Sequence, residues 1–152
     1  MNPSPPSPML NLVFYRERSG WKGFRARGHA YYAKHGEDIV CAALSALTQT
    51  AVLGLREVIG IHCQVQVDED AGMLLCLLPD DLSQEEWKQA QIVLDVLYVG
   101  ALAIEEDYGT HVNVKEVPYR ENKSAIIRLK KGWRKHEKRQ RLSSPTLRRE
   151  ES

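Results

Sequence analysis

A histidine and a cysteine, His29 and Cys41, lie twelve positions apart in the segment GHAYYAKHGEDIVCAALSAL, residues 28–47. A thiol attacks a carbonyl carbon only as the thiolate, and an ordinary cysteine is mostly protonated at neutral pH. A helix N-terminus favours the thiolate, because its unpaired amides carry partial positive charge. A nearby histidine can accept the proton and return it to a leaving amine. The two residues therefore have the chemistry of a nucleophile and its general base.

The elements around this segment are predicted from its periodicity. Two strand-like runs, residues 10–17 and 21–29, are separated by a Ser-Gly pair that is typical of a hairpin turn. From Asp38 onward the apolar residues recur with the period of a helix, which should end before Gly60. Asp38 is typical of an N-cap, since its carboxylate can accept hydrogen bonds from first-turn amides.

This arrangement predicts that both reactive side chains lie at one end of a sheet. His29 would end the second strand, and Cys41 would lie in the first turn of the helix. The loop between them, residues 30–37, is short enough to hold both at the same end. The amides at the start of the helix would then be available to stabilise a developing oxyanion.

Several roles stay open at this point. Ser45 lies one helical turn after Cys41 and can hydrogen-bond either the thiolate or the imidazole. Asp38 can orient His29 instead of capping the helix, and His35 in the loop is a second candidate base. By pattern alone, Cys41 is more often an inert buried residue than a nucleophile, because cysteine is among the most buried residue types.

The other cysteines, Cys63 and Cys76, fall in apolar strand-like runs and are predicted to be packing residues. An odd number of cysteines without a CxxC pair is not a disulfide framework. Metal-ligand spacing, glycine-rich phosphate loops and GxSxG are absent, so no metal and no cofactor are expected. The N-terminus lacks the pattern of a signal peptide and no apolar run reaches the length of a membrane helix, so a cytoplasmic location without membrane attachment is predicted.

The rest of the pattern predicts an α/β protein of the α+β type. Further along, two strands, a long helix and a last strand are expected; the strands are residues 61–67, 73–79 and 111–117. Ser83 and Glu86 form a capping box at the start of the long helix, and Gly109 is placed to end it. The order ββαββαβ predicts a two-layer sandwich with two helices on one face of a mainly antiparallel sheet.

Charge divides the chain into parts. Residues 1–8 form a Pro/Ser-rich leader that is predicted to be flexible, and residues 9–118 form the domain. Residues 1–118 contain 9 Lys/Arg and 16 Asp/Glu, a net charge of −7, whereas residues 119–152 contain 12 Lys/Arg and 4 Asp/Glu, a net charge of +8. This basic tail is predicted to be disordered or partly helical. Because Lys and Arg neutralise phosphates, one interpretation is contact with the ribosome or rRNA; the other is a solvated end without a partner.

The segment 28–45 resembles the signature of the bacterial ribosomal-processing cysteine proteases (Prp-like), which has the form G-H-(loop)-D-I-V-C-A-x-x-S. Every fixed position is present: Gly28, His29, Asp38, Ile39, Val40, Cys41, Ala42 and Ser45. IEEDYGTHVNV, residues 104–114, is similar to the closing helix and strand of that family. The resemblance covers residues 9–118, and neither the leader nor the tail has a counterpart in it.

The resemblance implies a homodimeric α/β sandwich that acts as a cysteine endopeptidase. It implies a dyad of Cys41 and His29, with Asp38, Ser45 and Gly28 as supporting residues. The implied substrate is the precursor of one large-subunit ribosomal protein, whose N-terminal extension is removed after a hydrophobic, aromatic-containing segment. The alternative function, drawn from the basic tail, is a non-catalytic module that binds the ribosome or RNA.

Overall fold

The computed structural model describes residues 10–28, 35–128 and 131, and only the backbone of residues 35–38. The elements of the domain are β1 Leu10–Glu17, β2 Gly20–Arg27, α1 His35–Leu53, β3 Gln64–Asp68, β4 Met73–Leu77, α2 Gln84–Asp107 and β5 Val112–Pro118. This is the predicted order ββαββαβ. His29, the leader 1–8 and residues 132–152 lie outside the described residues.

The five strands form one mixed sheet with the order β3-β4-β2-β1-β5. Three neighbouring pairs are antiparallel, and β1 and β5 pair in parallel. A parallel pair needs a long crossover connection, and the chain between these two strands includes both helices. The mainly antiparallel sheet that the sequence predicts is therefore confirmed, with β1 in its interior and β3 and β5 at its edges.

Both helices cover the same face of the sheet, as predicted. The buried core combines strand residues such as Phe14 and Phe24 with Leu44 of α1 and Leu94 of α2. Fully burying one such side chain contributes about 1.5–3 kcal/mol relative to leaving it exposed. On β1, Phe14 faces this core, whereas the ring of Tyr15 lies edge-on to that of Tyr119, with centroids 6.3 Å apart.

The capping box at the start of α2 is confirmed. The amide of Glu86 donates to Ser83 Oγ and the amide of Ser83 donates to Glu86 Oε1, both at 3.1 Å. The helix ends at Asp107, two residues before Gly109, and the amide of Tyr108 donates to the carbonyl of Ile104.

The first hairpin turns one residue earlier than predicted, with Arg18 at φ 55° and Gly20 already paired with Glu17. A Cβ at Gly20 would lie 2.3 Å from Oε1 of Gln91. That oxygen accepts a hydrogen bond of 2.6 Å from the amide of Trp21. A side chain at position 20 would therefore displace the Gln91 amide from Trp21, and the turn falls before this glycine.

Helix α1 differs from the prediction at its start, because it begins at His35 instead of after Asp38. Asp38 is thus inside the helix and is not its N-cap, and Cys41 is the seventh helical residue, in the second turn. Acidic residues are typical of the first helical turn as well as of the N-cap, so the helix begins four residues earlier than this signal predicts. At its other end the helix continues as a π-helical stretch, Gly54–Ile59, and stops at Gly60, where φ is 83°.

Among the described residues, one helix, Ile39–Ile59, is long and apolar enough to cross a membrane by length and composition. The sequence predicts no membrane helix, because no uninterrupted apolar run reaches the required length. Val40, Leu44 and Leu55 of this helix are all buried in the core against the sheet and α2. Ile39, Leu53 and Val58 of the same helix are exposed, and 28% of the apolar window is buried.

The chain divides into two compact units, residues 1–119 and 120–152. Residues 120–128 of the second unit are helical, and residue 131 is also helical.

Candidate active site

A cavity of about 320 Å³ lies beside α1, at the end of the sheet where β2 and β3 end and β1 and β4 begin. Cys41, Ser45 and Thr48 form its helical wall. Their spacing of four and three residues puts them on one side of the helix. Cys41 and Ser45 are both half-buried, so the thiol borders the cavity and is not sealed in the core.

The floor of the cavity is an apolar row that crosses four strands. Leu12 pairs with Ala26, Ala26 with Leu74, and Leu74 with Val67. All four residues border the cavity. The row ends at Val67, which is 53% exposed because β3 is an edge strand. This row defines a groove floor that an extended apolar segment can contact.

Gly28 closes the end of the cavity where the chain leaves β2. Its φ is 118°, and its amide donates a hydrogen bond of 3.1 Å to the carbonyl of Gly72, whose φ is 59°. The amide of Gly72 in turn donates to the carbonyl of Glu69 at 3.2 Å. L-amino acids with a Cβ rarely adopt such positive φ values, so both positions favour glycine. These bonds fix the end of β2 to the turn between β3 and β4.

Two hydroxyl groups, those of Thr48 and Ser45, belong to the polar wall of the cavity. The Thr48 hydroxyl donates to the carbonyls of Leu44 and Ser45 at 2.9 and 3.2 Å, and Thr48 is only 3% exposed. This hydroxyl is bound to its own helix, as is common for threonine in helices. Ser45 is therefore the better placed hydroxyl next to Cys41 on this wall.

Two acidic residues, Asp68 and Glu69, border the cavity at the turn after β3. Asp68 Oδ1 accepts a hydrogen bond of 3.1 Å from the amide of Ala71, which orders this turn. Glu69 is exposed. Within residues 10–28 and 35–131 as described, no group of three or more His, Cys, Asp or Glu side chains is arranged to hold a metal ion.

The other two cysteines lie in the core, as predicted, and none of the three forms a disulfide. Cys63 and Cys76 are 7% and 1% exposed, and neither borders the cavity. A hydrogen bond between them lowers the pKa of Cys63, and the same bond together with burial raises the pKa of Cys76. The sulfur of Cys76 is thus kept protonated, which is consistent with a packing role.

Of the residues predicted for the site, Gly28, Cys41 and Ser45 surround this one cavity. His29 lies outside the described residues, as do the side chains of Asp38 and His35. Sequence reasoning missed the floor and Gly72. The glycine of DEDAG, residues 68–72, is a turn signal in the sequence, but nothing in its spacing says that Gly28 bonds to it.

The two-layer sandwich thus carries a half-buried cysteine, Cys41, on the wall of a cavity with an apolar floor. The family model described as "Cysteine protease Prp" matches residues 9–113. The chain therefore belongs to the Prp family of cysteine proteases.

Relatives in two bacteria carry the same description, ribosomal processing cysteine protease Prp. The protein of Bacillus subtilis strain 168 is 32% identical over 95 residues, which cover 62% of this chain and 85% of the relative. That of Staphylococcus aureus strain Mu50 is 28% identical over 87 residues, which cover 57% of this chain and 78% of the relative.

Solved structures share the fold. SMU.848 from Streptococcus mutans has a TM-score of 0.66 at 23% identity and covers 73% of this chain and 96% of its own. The essential ribosomal processing protease Prp from S. aureus, in complex with a substrate peptide, has a TM-score of 0.64 at 21% identity and covers 72% of this chain and 100% of its own. The same protease with a covalently linked product peptide has a TM-score of 0.61 at 22% identity, with the same coverage. These likenesses confirm the predicted α+β fold.

Proposed function

We propose that this chain is a cysteine endopeptidase that removes the N-terminal extension of a large-subunit ribosomal protein. The observation that carries the proposal is the position of Cys41, half-buried on the wall of a cavity, in a chain that belongs to a cysteine protease family. The curated relatives are described as ribosomal processing enzymes, which supports a ribosomal protein precursor as the substrate.

In the proposed mechanism, His29 accepts the proton of the Cys41 thiol. The thiolate attacks the scissile carbonyl carbon, and the resulting acyl-enzyme forms as His29 protonates the leaving amine. Water then hydrolyses the thioester. The position of Gly28 supports this pairing, because Gly28 borders the cavity and His29 follows it directly in the chain.

Because Cys41 lies in the second turn of α1, formation of its thiolate depends more on a general base than on the helix N-terminus. The effect of the helix dipole falls off within the first turn, and Cys41 is the seventh residue of α1. Asp38 and Ser45 are the proposed supporting residues, Asp38 toward the imidazole and Ser45 toward the thiolate. No metal and no cofactor take part in this mechanism.

The walls of the cavity support the proposed class of substrate. The apolar row from Leu12 to Val67 can pack against the hydrophobic residues that precede the cut. Asp68 and Glu69 at the rim favour basic residues, which are common in ribosomal proteins.

We also propose that the enzyme is a homodimer, and that its second copy packs on the outer side of α2. An exposed apolar stripe runs along this helix at the spacing of a coiled-coil seam: Ile92, Val96, Val99 and Ala103. The three larger residues are each more than 60% exposed. A stripe of this kind is self-complementary about a two-fold axis, which is the commonest symmetry of dimers.

The alternative, a non-catalytic ribosome- or RNA-binding module, rests on the basic segment 119–152. It gives no account of a cysteine that borders a cavity with an apolar floor. We therefore assign that segment a binding role that accompanies catalysis.

The test uses a peptide that spans the junction between the extension and the mature ribosomal protein. We expect Cys41→Ala to lower the cleavage rate by about 10³-fold or more, because the nucleophile is lost. Cys63→Ala is the matched control, since it removes a sulfur that lies away from the cavity. Undiminished cleavage by Cys41→Ala would contradict the assignment.

A further inference from the structure

The two edges of the sheet differ in how they are protected against pairing with another strand. β5 carries Lys115 and Pro118, and the amide of Val114 donates to Oε2 of Glu105 on α2; lysine, proline and a covering helix are common protections of an edge. β3 has the sequence QVQVD, with no lysine, no proline and a regular register with β4. In the described part of the chain, no strand pairs with β3 on the side that faces away from β4. We call this side the open edge.

The hydrogen bonds next to β4 show which backbone groups of β3 face the open edge. The amide of Leu78 donates to the carbonyl of Lys22, and the amide of Gly28 donates to the carbonyl of Gly72. Both bonds join even-numbered residues beside β4 to the β2 side of the sheet. Hydrogen-bonded and non-hydrogen-bonded pairs alternate along an antiparallel ladder. The odd-numbered residues of β4 are therefore the ones that bond to β3.

Val65 and Val67 turn their backbone groups toward the open edge. They lie opposite Cys76 and Leu74, which are even-numbered residues of β4, so their N–H and C=O groups point away from that strand. Among the described residues, neither valine has a backbone hydrogen bond to a group outside the sheet. Val65 is half-buried and Val67 is 53% exposed. Two donors and two acceptors thus lie beside the cavity that Val67 borders.

We propose that the hydrophobic segment of the substrate that precedes the cut binds as an added strand along β3. This inference rests on the proposed function, which supplies an extended peptide as the ligand. Hydrogen bonds to the backbone of Val65 and Val67 hold the segment, as in other proteins that bind peptides at a sheet edge. The substrate residue opposite Val67 places its side chain on the cavity face and extends the apolar floor by one position.

The position and the charge of the open edge favour the substrate over a second copy of the chain. Val67 and Cys41 border the same cavity, so a peptide that leaves the edge at Val67 enters the cavity that contains the nucleophile. β3 ends at Asp68 and is followed by Glu69, and these carboxylates favour a basic partner. Residues 1–118 carry a net charge of −7, so a second copy is not such a partner.

The first test is an N-methyl scan of the junction peptide with the parent chain. Each residue of the segment that precedes the cut is N-methylated in turn, which removes one amide donor and keeps the side chain. Every second residue of an added strand turns its amide toward β3. We therefore expect kcat/KM to fall by about tenfold at alternate positions and to change little between them. Equal sensitivity at neighbouring positions, or none at any position, would overturn the added strand.

The second test is amide hydrogen exchange of Cys41→Ala, measured by NMR with and without the junction peptide. The amides of Val65 and Val67 should exchange about tenfold more slowly when the peptide is bound. The amide of Gln66 is the matched control, because it faces β4 in the free chain. Unchanged exchange of the two valines in the complex would contradict the proposal. Protection in the free chain that rises with protein concentration would contradict it as well, since that result assigns the open edge to a second copy.

Together the two tests separate the added strand from the proposed function. Cleavage of the junction peptide with neither alternation nor protection would leave the protease and remove the added strand. Protection of Val65 and Val67 by a peptide that is not cleaved would support the added strand and contradict the protease. A peptide that is neither cleaved by the parent chain nor bound by Cys41→Ala would overturn both.

Discussion

The amide of Gly28 donates a hydrogen bond of 3.1 Å to the carbonyl of Gly72, and both glycines have positive φ. This bond joins the end of β2, just before the proposed base, to the turn that carries the acidic rim of the cavity. The glycines therefore hold two walls of the site together, although neither has a side chain to contribute to the chemistry.

Gly72→Ala should lower both stability and activity. Its φ of 59° is left-handed, and a Cβ there costs roughly 1–2 kcal/mol. Gly60→Ala is a matched control, because Gly60 has φ 83° and nothing within 4 Å of the added Cβ. We expect similar losses of unfolding free energy in denaturant titrations, and a fall in kcat/KM in Gly72→Ala alone. Equal kcat/KM values for the two variants would show that the turn does not shape the site.

Alkylation of Cys41 should depend on His29. If the imidazole accepts the thiol proton, His29→Ala lowers the rate of Cys41 alkylation by iodoacetamide at neutral pH by about tenfold or more. Peptide mapping by mass spectrometry measures this rate, and the buried Cys63 and Cys76 provide slow internal references. The exposed His62 supplies the control His62→Ala. A rate that is the same in both variants would remove His29 from the proposed dyad.

Val67→Asp should weaken substrate binding. Val67 ends the apolar floor and is 53% exposed, so the charge is tolerated by the fold but opposes an apolar substrate residue. Loss of one buried apolar contact of about 1.5–3 kcal/mol corresponds to a roughly 10- to 160-fold fall in kcat/KM. Val58→Asp, at a position that is 83% exposed and does not border the cavity, is the control. If both variants cleave equally well, the substrate does not use this floor.

Val96→Asp should dissociate the proposed dimer. Val96 lies in the middle of the exposed stripe on α2 and is 68% exposed, so the monomer retains its core. Two copies that meet about a two-fold axis would bring the new carboxylates into the interface, where charged groups without partners are costly. Sedimentation velocity is expected to give a dimer for the parent chain and for Val58→Asp, and a monomer for Val96→Asp. A dimer that survives the substitution would place its interface elsewhere.

Ser83→Ala should destabilise the domain by about 1 kcal/mol through loss of the N-cap, as measured by urea unfolding at neutral pH.

Hydrogen bonds from the backbone amide and the side chain of Ser83 lower the pKa of Glu86. A carboxyl with a lowered pKa in the folded state stabilises it above the unfolded pKa, and this contribution is lost as the pH falls through the folded value. Unfolding in urea at neutral pH and at about pH 3 measures the effect. Glu86→Gln should reduce the loss of stability on acidification, and an unchanged pH dependence would exclude this contribution.

The order of elements was predictable because it depends on local pattern. The apolar period changes from two to near 3.6 residues at each strand-to-helix transition, and the Ser83–Glu86 box needs only residues three apart. The start of α1 was not predictable, because acidic residues such as Asp38 are common both at the N-cap and in the first turn of a helix. The cysteine was identified from its type and neighbours, and the structure adds that it borders a cavity.

The apolar floor of the site could not be predicted from the sequence. Leu12, Ala26, Leu74 and Val67 meet only through the registers of three strand pairs, and β4 lies beside β2 although α1 and β3 come between them in the chain. Periodicity shows which side of a strand is apolar, but it does not fix which strands are neighbours. The hydrogen bond between Gly28 and Gly72 cannot be predicted from the sequence for the same reason.

The pairing of β1 with β5 has a consequence for how the domain is made. Leu10 lies beside Val112, and the amide of Leu10 donates to the carbonyl of His111. The pairing of β1 with β5 can therefore form only after the last strand has been synthesised. Contacts between residues so distant along the chain slow folding. A polypeptide that is still growing from the ribosome therefore leaves one side of β1 without its backbone partner until residue 118 has been added. Premature termination before β5 would leave an open edge that favours aggregation.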